Sequence, residues 1–257
     1  MSAPDAPSLR PVRRVPTGPR RSLSEARAQL SATWRRRRRL GESDCEEIGS
    51  GLLAQPVNAL SSLAYVAGGS WVARRGAQSG RPAAMAFGGV LGAVGAGSVL
   101  YHGPCPPGAQ QAHDASLAAA IGLVVLHNTA AITGRHRRAP GIVHLGAAVV
   151  AALPVLPSGR YTNPVVALLG VSACATEARS VRYGIHARRP AAISAGTFAL
   201  GALIHALSRT GGPLCRPHSR LQGHALWHVL SAVSLAAWAR GALLPPTKRS
   251  RVRRRRR

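Results

Sequence analysis

Seven apolar segments, separated by short polar breaks, fill most of the chain between residues 51 and 244. A helix needs about 20 residues to cross a bilayer, and each segment has that length or nearly so. Gly and Pro punctuate almost every break, and no segment shows the alternating pattern of a strand. The sequence therefore predicts an all-α integral membrane protein, a bundle of seven transmembrane helices at about 51–73, 82–103, 113–133, 140–157, 163–178, 190–208 and 222–244.

The positive charge of the chain, formally +26 from 34 Lys+Arg against 8 Asp+Glu, would by itself indicate a nucleic-acid binder. Its distribution indicates otherwise, because eleven arginines precede residue 40 and eight basic residues follow residue 247. We therefore predict a disordered Arg/Pro-rich tail at residues 1–40, a membrane domain at 41–244 and a basic C-terminal tail at 245–257, with no nucleic-acid partner.

The arginines in the breaks predict the orientation of the bundle. Ten lie in the breaks after the first, third and fifth segments, and four lie in the breaks after the second, fourth and sixth. Basic loops favour the cytoplasmic side, so we expect the larger set and the C-terminus in the cytoplasm. The basic N-terminal tail favours the opposite orientation, but three loops and the C-terminal tail agree with one another.

Polar and ionisable residues near the ends of three apolar segments suggest a functional site, because such residues are costly in a membrane. His224 and His228 are four residues apart, which places both imidazoles on one helix face. Ser98 and His102 repeat this spacing, and Asp114 opens the third segment. In a seven-helix bundle these positions meet near one membrane face, where the three histidines could hold zinc with a fourth position open to water.

The other two residues have chemical roles and structural alternatives. Asp114 could accept a proton from the water that zinc activates or orient a zinc ligand, but it could also cap a helix or pair with a loop arginine. Ser98 could donate a hydrogen bond to a developing oxyanion or bond to its own backbone. The histidine pair could also arise by chance, and Ala225 stands where a zincin would have its glutamate base.

The order of these five residues, S-x3-H, then D, then H-x3-H, resembles the CREST superfamily of seven-helix membrane hydrolases, and within it the alkaline ceramidase family. The stretches DCEEIGSGLLAQPVNALSSLAY, GAGSVLYHG and ALWHVLSAV are similar to that family's first, second and seventh helices. The resemblance implies a zinc-dependent amidohydrolase that cleaves a ceramide-like lipid into a fatty acid and a sphingoid base. The three histidines would bind zinc, and Ser98 and Asp114 would serve catalysis.

Two other functions fit the same residues. A seven-helix lipid sensor could keep a structural zinc site and tolerate the loss of Ser98 and Asp114. A proton-coupled transporter could use the histidines and Asp114 as a proton relay and would need no metal.

The acidic segment before the first helix resembles the calcium site of the same family. The carboxylates available there are Asp44, Glu46 and Glu47. Ile48 stands where the family has an asparagine and Gln55 where it has a glutamate, so calcium is doubtful, since calcium sites depend on carboxylate charge. Gln55 also shares one helix stripe with Asn58 and Ser62, which could bond to neighbouring helices or take part in the site.

The cysteines allow one disulfide. Cys45 precedes the first helix and Cys215 precedes the seventh, and the predicted orientation places both on the non-cytoplasmic side, where oxidation is permitted. The first helix must lie near the seventh if Asn58 approaches the histidines, so a Cys45–Cys215 disulfide is expected. Cys105 is a competing partner on the same side, Cys174 within a helix should stay reduced, and four free thiols are the alternative.

Overall fold

The computed structural model describes residues 23–134, 141–153 and 162–244, and these ranges contain helices and no strand. The helices, in chain order, are α1 (Leu23–Gly41), α2 (Pro56–Ser61), α3 (Leu63–Gln78), α4 (Pro82–His102), α5 (Ala109–Ile132), α6 (Gly141–Ala152), α7 (Thr162–Arg182), α8 (Arg188–Leu207) and α9 (Gly223–Ala242). The all-helical prediction is confirmed for these residues.

Each of the seven apolar segments overlaps a helix, and the first is divided at Ser62 into α2 and α3. The end of the fourth segment, residues 154–157, lies outside the described residues. Four helices, α4, α5, α7 and α8, are long and apolar enough to cross a membrane. They indicate a membrane protein. Helices α3 and α6 have only 16 and 12 residues, fewer than the roughly 20 that a straight span needs, so the count of seven spans stays a prediction.

Two of the four long apolar helices are barely covered by protein. Only 6% of the apolar stretch of α7 and 11% of that of α8 is buried. Leu168, Val171 and Leu203 on these helices are each more than half exposed. Exposing apolar surface to water costs about 25 cal/mol per Å², and contact with lipid removes that cost. These faces are therefore suited to the hydrocarbon of a bilayer.

Glycines allow the central helices to pack closely. A Cβ atom added to Gly69 of α3 would lie 2.5 Å from the carbonyl oxygen of Gly88 in α4, and the reverse distance is the same. Helix α9 packs against α3 and α8, and α5 packs against α4 and α7. Buried side chains between these helices include Val72, Phe87, Leu91, Leu123 and Trp238. The packing of α3, α4 and α9 brings the histidine-bearing ends of α4 and α9 together.

The prediction of a disordered tail up to residue 40 is wrong for residues 23–40, which form most of α1. The Ala, Leu, Glu and Arg residues of this segment favour helix. Its last turns are also anchored, since Arg36 donates a hydrogen bond to the carbonyl of Cys105 at 3.0 Å. Arg37 donates to three carbonyl oxygens, those of Gly49, Gly51 and Leu52. The rest of the predicted N-terminal tail, residues 1–22, and the basic tail at 245–257 lie outside the described residues.

Candidate metal centre

The end of α4 and the beginning of α9 position the candidate metal ligands. Helix α4 ends at His102, and α9 begins one residue before His224. The spacing of four residues places His224 and His228 on one face of α9, as the sequence predicts. His102 and His228 are fully buried, and the His224 side chain is 12% exposed.

The three imidazole rings lie in mutual contact. The ring centroids are 4.8 Å apart for His102 and His224, 5.1 Å for His102 and His228, and 4.5 Å for His224 and His228. One ring nitrogen from each histidine lies within 4.8 Å of the other two, so the group could hold a metal ion. Three imidazole nitrogens on rigid helix ends are a usual ligand set for catalytic zinc.

Two of the rings are oriented by oxygen acceptors. His102 Nδ1 lies 2.9 Å from Gln55 Oε1, and His228 Nδ1 lies 3.1 Å from the carbonyl oxygen of Asn58. A carbonyl oxygen only accepts, so Nδ1 carries the proton in each ring and Nε2 keeps its lone pair. His102 Nε2 is buried and has no hydrogen-bond partner among the described residues. Zinc-binding histidines are typically oriented in this way, by an acceptor on the nitrogen that does not face the metal.

The third ring faces a buried carboxylate. His224 Nδ1 lies 3.4 Å from Asp44 Oδ1 and makes no hydrogen bond within the described part of the chain. Asp44 is 5% exposed, and burial raises the pKa of its carboxyl to about 6. A carboxylate beside the outer nitrogen of a histidine is a common partner of zinc ligands. The residues present therefore fit a zinc ion.

A break in the helix makes the Asn58 carbonyl available to His228. Helix α2 ends at Ser61, and the hydroxyls of Ser61 and Ser62 both donate to the Asn58 carbonyl, at 2.9 and 2.8 Å. Serine hydroxyls that bond back to a carbonyl often bend a helix. The Asn58 side chain is fully buried, and in the ranges that the structure describes neither of its amide atoms has a hydrogen-bond partner. That amide can offer both a donor and an acceptor to a ligand.

Ser98 lies beside the inner nitrogen of a candidate ligand. Its hydroxyl is 2.8 Å from Ser62 Oγ and 3.5 Å from His228 Nε2, and the side chain is fully buried. The hydroxyl can therefore donate to a group bound at the three histidines.

Asp114 is held by two neighbours. One carboxylate oxygen pairs with His113 Nδ1 at 2.9 Å, and the other accepts a hydrogen bond from the Thr162 hydroxyl at 2.8 Å. In the described part of the chain, its hydrogen bonds go to these residues rather than to the candidate zinc ligands. His113 connects Asp114 to the candidate centre, because the His113 ring centroid is 6.5 Å from the His102 ring centroid.

The acidic residues considered for calcium have three different partners. Asp44 faces the histidines, whereas the Glu46 carboxylate accepts hydrogen bonds at 2.7 and 2.8 Å from two backbone N–H groups in the first turn of α2. Glu47 is exposed and pairs with His218 at 2.9 Å. Within the described ranges, neither Glu46 nor Glu47 belongs to a group that could hold a metal. Among the described residues these three carboxylates do not converge on one point, and a calcium site here stays a prediction.

Cys45 and Cys215 form a disulfide with a Cα–Cα distance of 5.6 Å. It joins the acidic segment to the loop that leads into α9. Cys105 is a buried free thiol, and Cys174 is an exposed one.

Two further histidines belong to the surroundings of the centre. The His205 ring is 4.9 Å from the His224 ring, and Asp44, His205 and His224 form a second group that could hold a metal ion. His113 pairs with Asp114, as described above. Only weak sequence signals point to these two residues, since His205 lies alone in an apolar run and His113 is marked only by its place beside Asp114.

Comparisons with known proteins identify no family for this chain. No protein-family model matches the chain, and no curated protein shows significant similarity to it.

Proposed function

We propose that the protein is a membrane-embedded, zinc-dependent amidohydrolase that cleaves the amide bond of a ceramide-like lipid. One observation carries the proposal. The three histidines approach one another at buried helix ends, and each turns its Nδ1 toward an oxygen of the same segment, residues 44–58. Each ring therefore has its other nitrogen available for a shared metal ion.

The chain supplies the groups that amide hydrolysis needs around such an ion. Zinc held by the histidines would act as a Lewis acid and activate a water molecule for attack on the amide carbonyl. The Ser98 hydroxyl, beside His228 Nε2, would donate to the oxygen that gains negative charge. Asp114, paired with His113, would accept and return a proton at the edge of the centre. The Asn58 amide would bind the polar part of the substrate.

A lipid substrate is supported by the surroundings of the centre. Helix α4, which carries Ser98 and His102, is one of the four helices able to span a membrane. Leu100, Leu226 and Val229, close in sequence to the candidate ligands, each expose about two fifths of their surface. An acyl chain can pack against such side chains while the amide reaches the histidines.

The first test is the metal content of the purified full-length chain. We expect about one zinc per chain in the wild type, and no zinc and no hydrolysis when His224→Ala and His228→Ala are combined. His127→Gln is the control. His127 is also a buried histidine, but its ring packs against Trp238 away from the candidate ligands. This variant should keep its zinc.

The second test is turnover on a panel of ceramides, other N-acyl lipids and a matched ester. Release of fatty acid from an amide supports the proposal. Bound zinc with no turnover on any member would favour a sensor, and a protein that binds no metal would favour a proton-coupled transporter. Full zinc content in the double histidine variant would show that the ligands are assigned wrongly.

A further inference from the structure

We propose that Gln55 is a positioning residue of the candidate zinc centre. Its amide fixes the orientation and tautomer of His102, and it connects the acidic segment to His102 without a bound cation. The inference rests on the zinc site of the proposed function. It also accounts for a departure of this chain from the family that its motifs resemble, in which a glutamate is expected at this position.

The hydrogen bonds of Gln55 leave one orientation for its amide. Gln55 is 1% exposed, and its Nε2 donates to the carbonyl oxygens of Gly41 at 3.1 Å and Glu46 at 2.9 Å. Both partners only accept, so the NH₂ group must face them and Oε1 must face His102 Nδ1. The His102 Nδ1 atom is therefore the donor, and its Nε2 is left to bind a metal.

Gln55 also joins three parts of the chain that meet at the centre. Gly41 ends α1, Glu46 belongs to the acidic segment, and His102 ends α4. The backbone N–H of Gln55 donates to the carbonyl oxygen of His102 at 2.8 Å, so main chain and side chain hold the same residue. The fit is close, because a Cβ atom on Gly41 would lie 3.0 Å from the Gln55 amide.

A glutamate at this position would behave differently. Its carboxylate could accept the His102 hydrogen bond, but it could not donate to the carbonyls of Gly41 and Glu46. Carboxylate and carbonyl oxygens that face one another favour a bound hard cation such as Ca²⁺. In the wild type, the two N–H groups of the Gln55 amide donate to these carbonyl oxygens. They thereby connect Gly41 and Glu46, a connection that a glutamate could make only through a bound cation.

The experiment compares Gln55→Leu and Gln55→Glu with Asn128→Leu in the full-length chain. Asn128 is the matched control, because it is also a fully buried amide whose oxygen accepts a bond from a ring N–H, that of Trp238 at 3.2 Å. Zinc affinity is measured by chelator competition. Thermal unfolding is followed in buffer freed of calcium on a chelating resin and in the same buffer with millimolar CaCl₂.

We expect Gln55→Leu to bind zinc about 10- to 100-fold more weakly, while Asn128→Leu unfolds at a lower temperature with its zinc affinity unchanged. Gln55→Glu should bind zinc weakly in the calcium-free buffer, and CaCl₂ should restore its zinc affinity and raise its unfolding temperature. The wild type should respond to CaCl₂ in neither measurement.

Three results would overturn the inference: wild-type zinc affinity in Gln55→Leu, a wild type stabilised by calcium, or a Gln55→Glu variant on which calcium has no effect. If the wild type binds no zinc, the proposed function fails. The calcium response in thermal unfolding still decides whether the Gln55 amide takes the place of a cation.

Discussion

Asp44 Oδ1 lies 3.4 Å from His224 Nδ1, and the buried carboxylate accepts a hydrogen bond from the hydroxyl of Ser43 at 2.9 Å. Burial raises the pKa of Asp44 from 3.8 to about 6. An acid whose pKa is higher in the folded state loses stability as the pH rises through that interval, so ionised Asp44 costs folding free energy above about pH 6. Asp44 therefore destabilises the fold when it is ionised, yet it lies beside a candidate ligand. A role in the metal centre explains its presence better than a role in stability does.

Asp44→Asn should therefore separate stability from metal binding. At pH 7 we expect the metal-free variant to unfold at the same temperature as the metal-free wild type or at a higher one. The variant lacks the buried, ionised carboxylate that destabilises the wild type. Zinc affinity should fall about 10- to 100-fold, since His224 loses its carboxylate partner. Differential scanning calorimetry and chelator competition measure the two effects. Glu47→Gln, at an exposed carboxylate, should change neither, and unchanged zinc affinity in Asp44→Asn would remove Asp44 from the centre.

Helical spacing explains which parts of the centre could be predicted from the sequence. The four-residue intervals place Ser98 with His102 and His224 with His228, whatever the details of packing. The apolar runs place the two helices that carry them. The three histidines then meet only if the ends of α4 and α9 lie side by side. The order of the segments places both ends at one level of the bundle, and the packing of both helices against α3 brings them together.

The features of the structure that the sequence does not predict depend on contacts between segments. The hydrogen bonds of Gln55 depend on carbonyls at Gly41 and Glu46 that no pattern in the sequence identifies. The break at Ser62 depends on hydroxyls that bond back within one turn, and α1 depends partly on carbonyls accepting from Arg37. His205 approaches His224 only through the packing of α8 against α9.

Ser98→Ala should keep its zinc and lose turnover. The hydroxyl lies near His228 Nε2 rather than on the outer side of a ring, so it is placed to act on bound substrate. Removing one oxyanion donor costs roughly 10²–10³-fold in turnover number. Ser234→Ala is the matched control, a buried serine on α9 that bonds to the carbonyl of Ser194, and it should retain turnover. A Ser98→Ala enzyme within a few-fold of wild type would exclude this role.

Asp114→Asn should also retain zinc, because its carboxylate contacts His113 and Thr162 rather than the three histidines. Loss of proton transfer predicts a fall in turnover of roughly 10²–10⁴-fold. Thr162→Val distinguishes chemistry from packing, since it removes one hydrogen bond to Asp114 and leaves the carboxylate in place. We expect Thr162→Val to stay within a few-fold of wild type. An equal loss in both variants would assign Asp114 a structural role.

Gly69→Ala should destabilise the bundle, because the new methyl group would meet the Gly88 carbonyl at 2.5 Å and force α3 away from α4. Overpacking of this kind typically costs about 1–3 kcal/mol. Gly89→Ala is the control on the same helix pair, since no described atom beyond the backbone of its own helix lies within 4 Å of its added Cβ atom. Thermal unfolding in detergent should show a lower midpoint for Gly69→Ala alone. Equal midpoints would mean that α3 and α4 do not pack at this distance.

The Cys45–Cys215 disulfide should support the centre as well as the fold. Cys45 adjoins Asp44, and Cys215 lies nine residues before His224, so the bond holds the carboxylate near the ring it faces. Loss of a native disulfide costs about 2–5 kcal/mol in small secreted domains. We expect Cys45→Ser with Cys215→Ser to lower both the unfolding temperature and the zinc affinity, and Cys174→Ser, at an exposed free thiol, to change neither. Peptide mapping without reductant should recover Cys45 linked to Cys215. A free Cys45 would rule out the bond, and Cys45 labelled from the cytoplasmic side of intact cells would also reverse the predicted orientation.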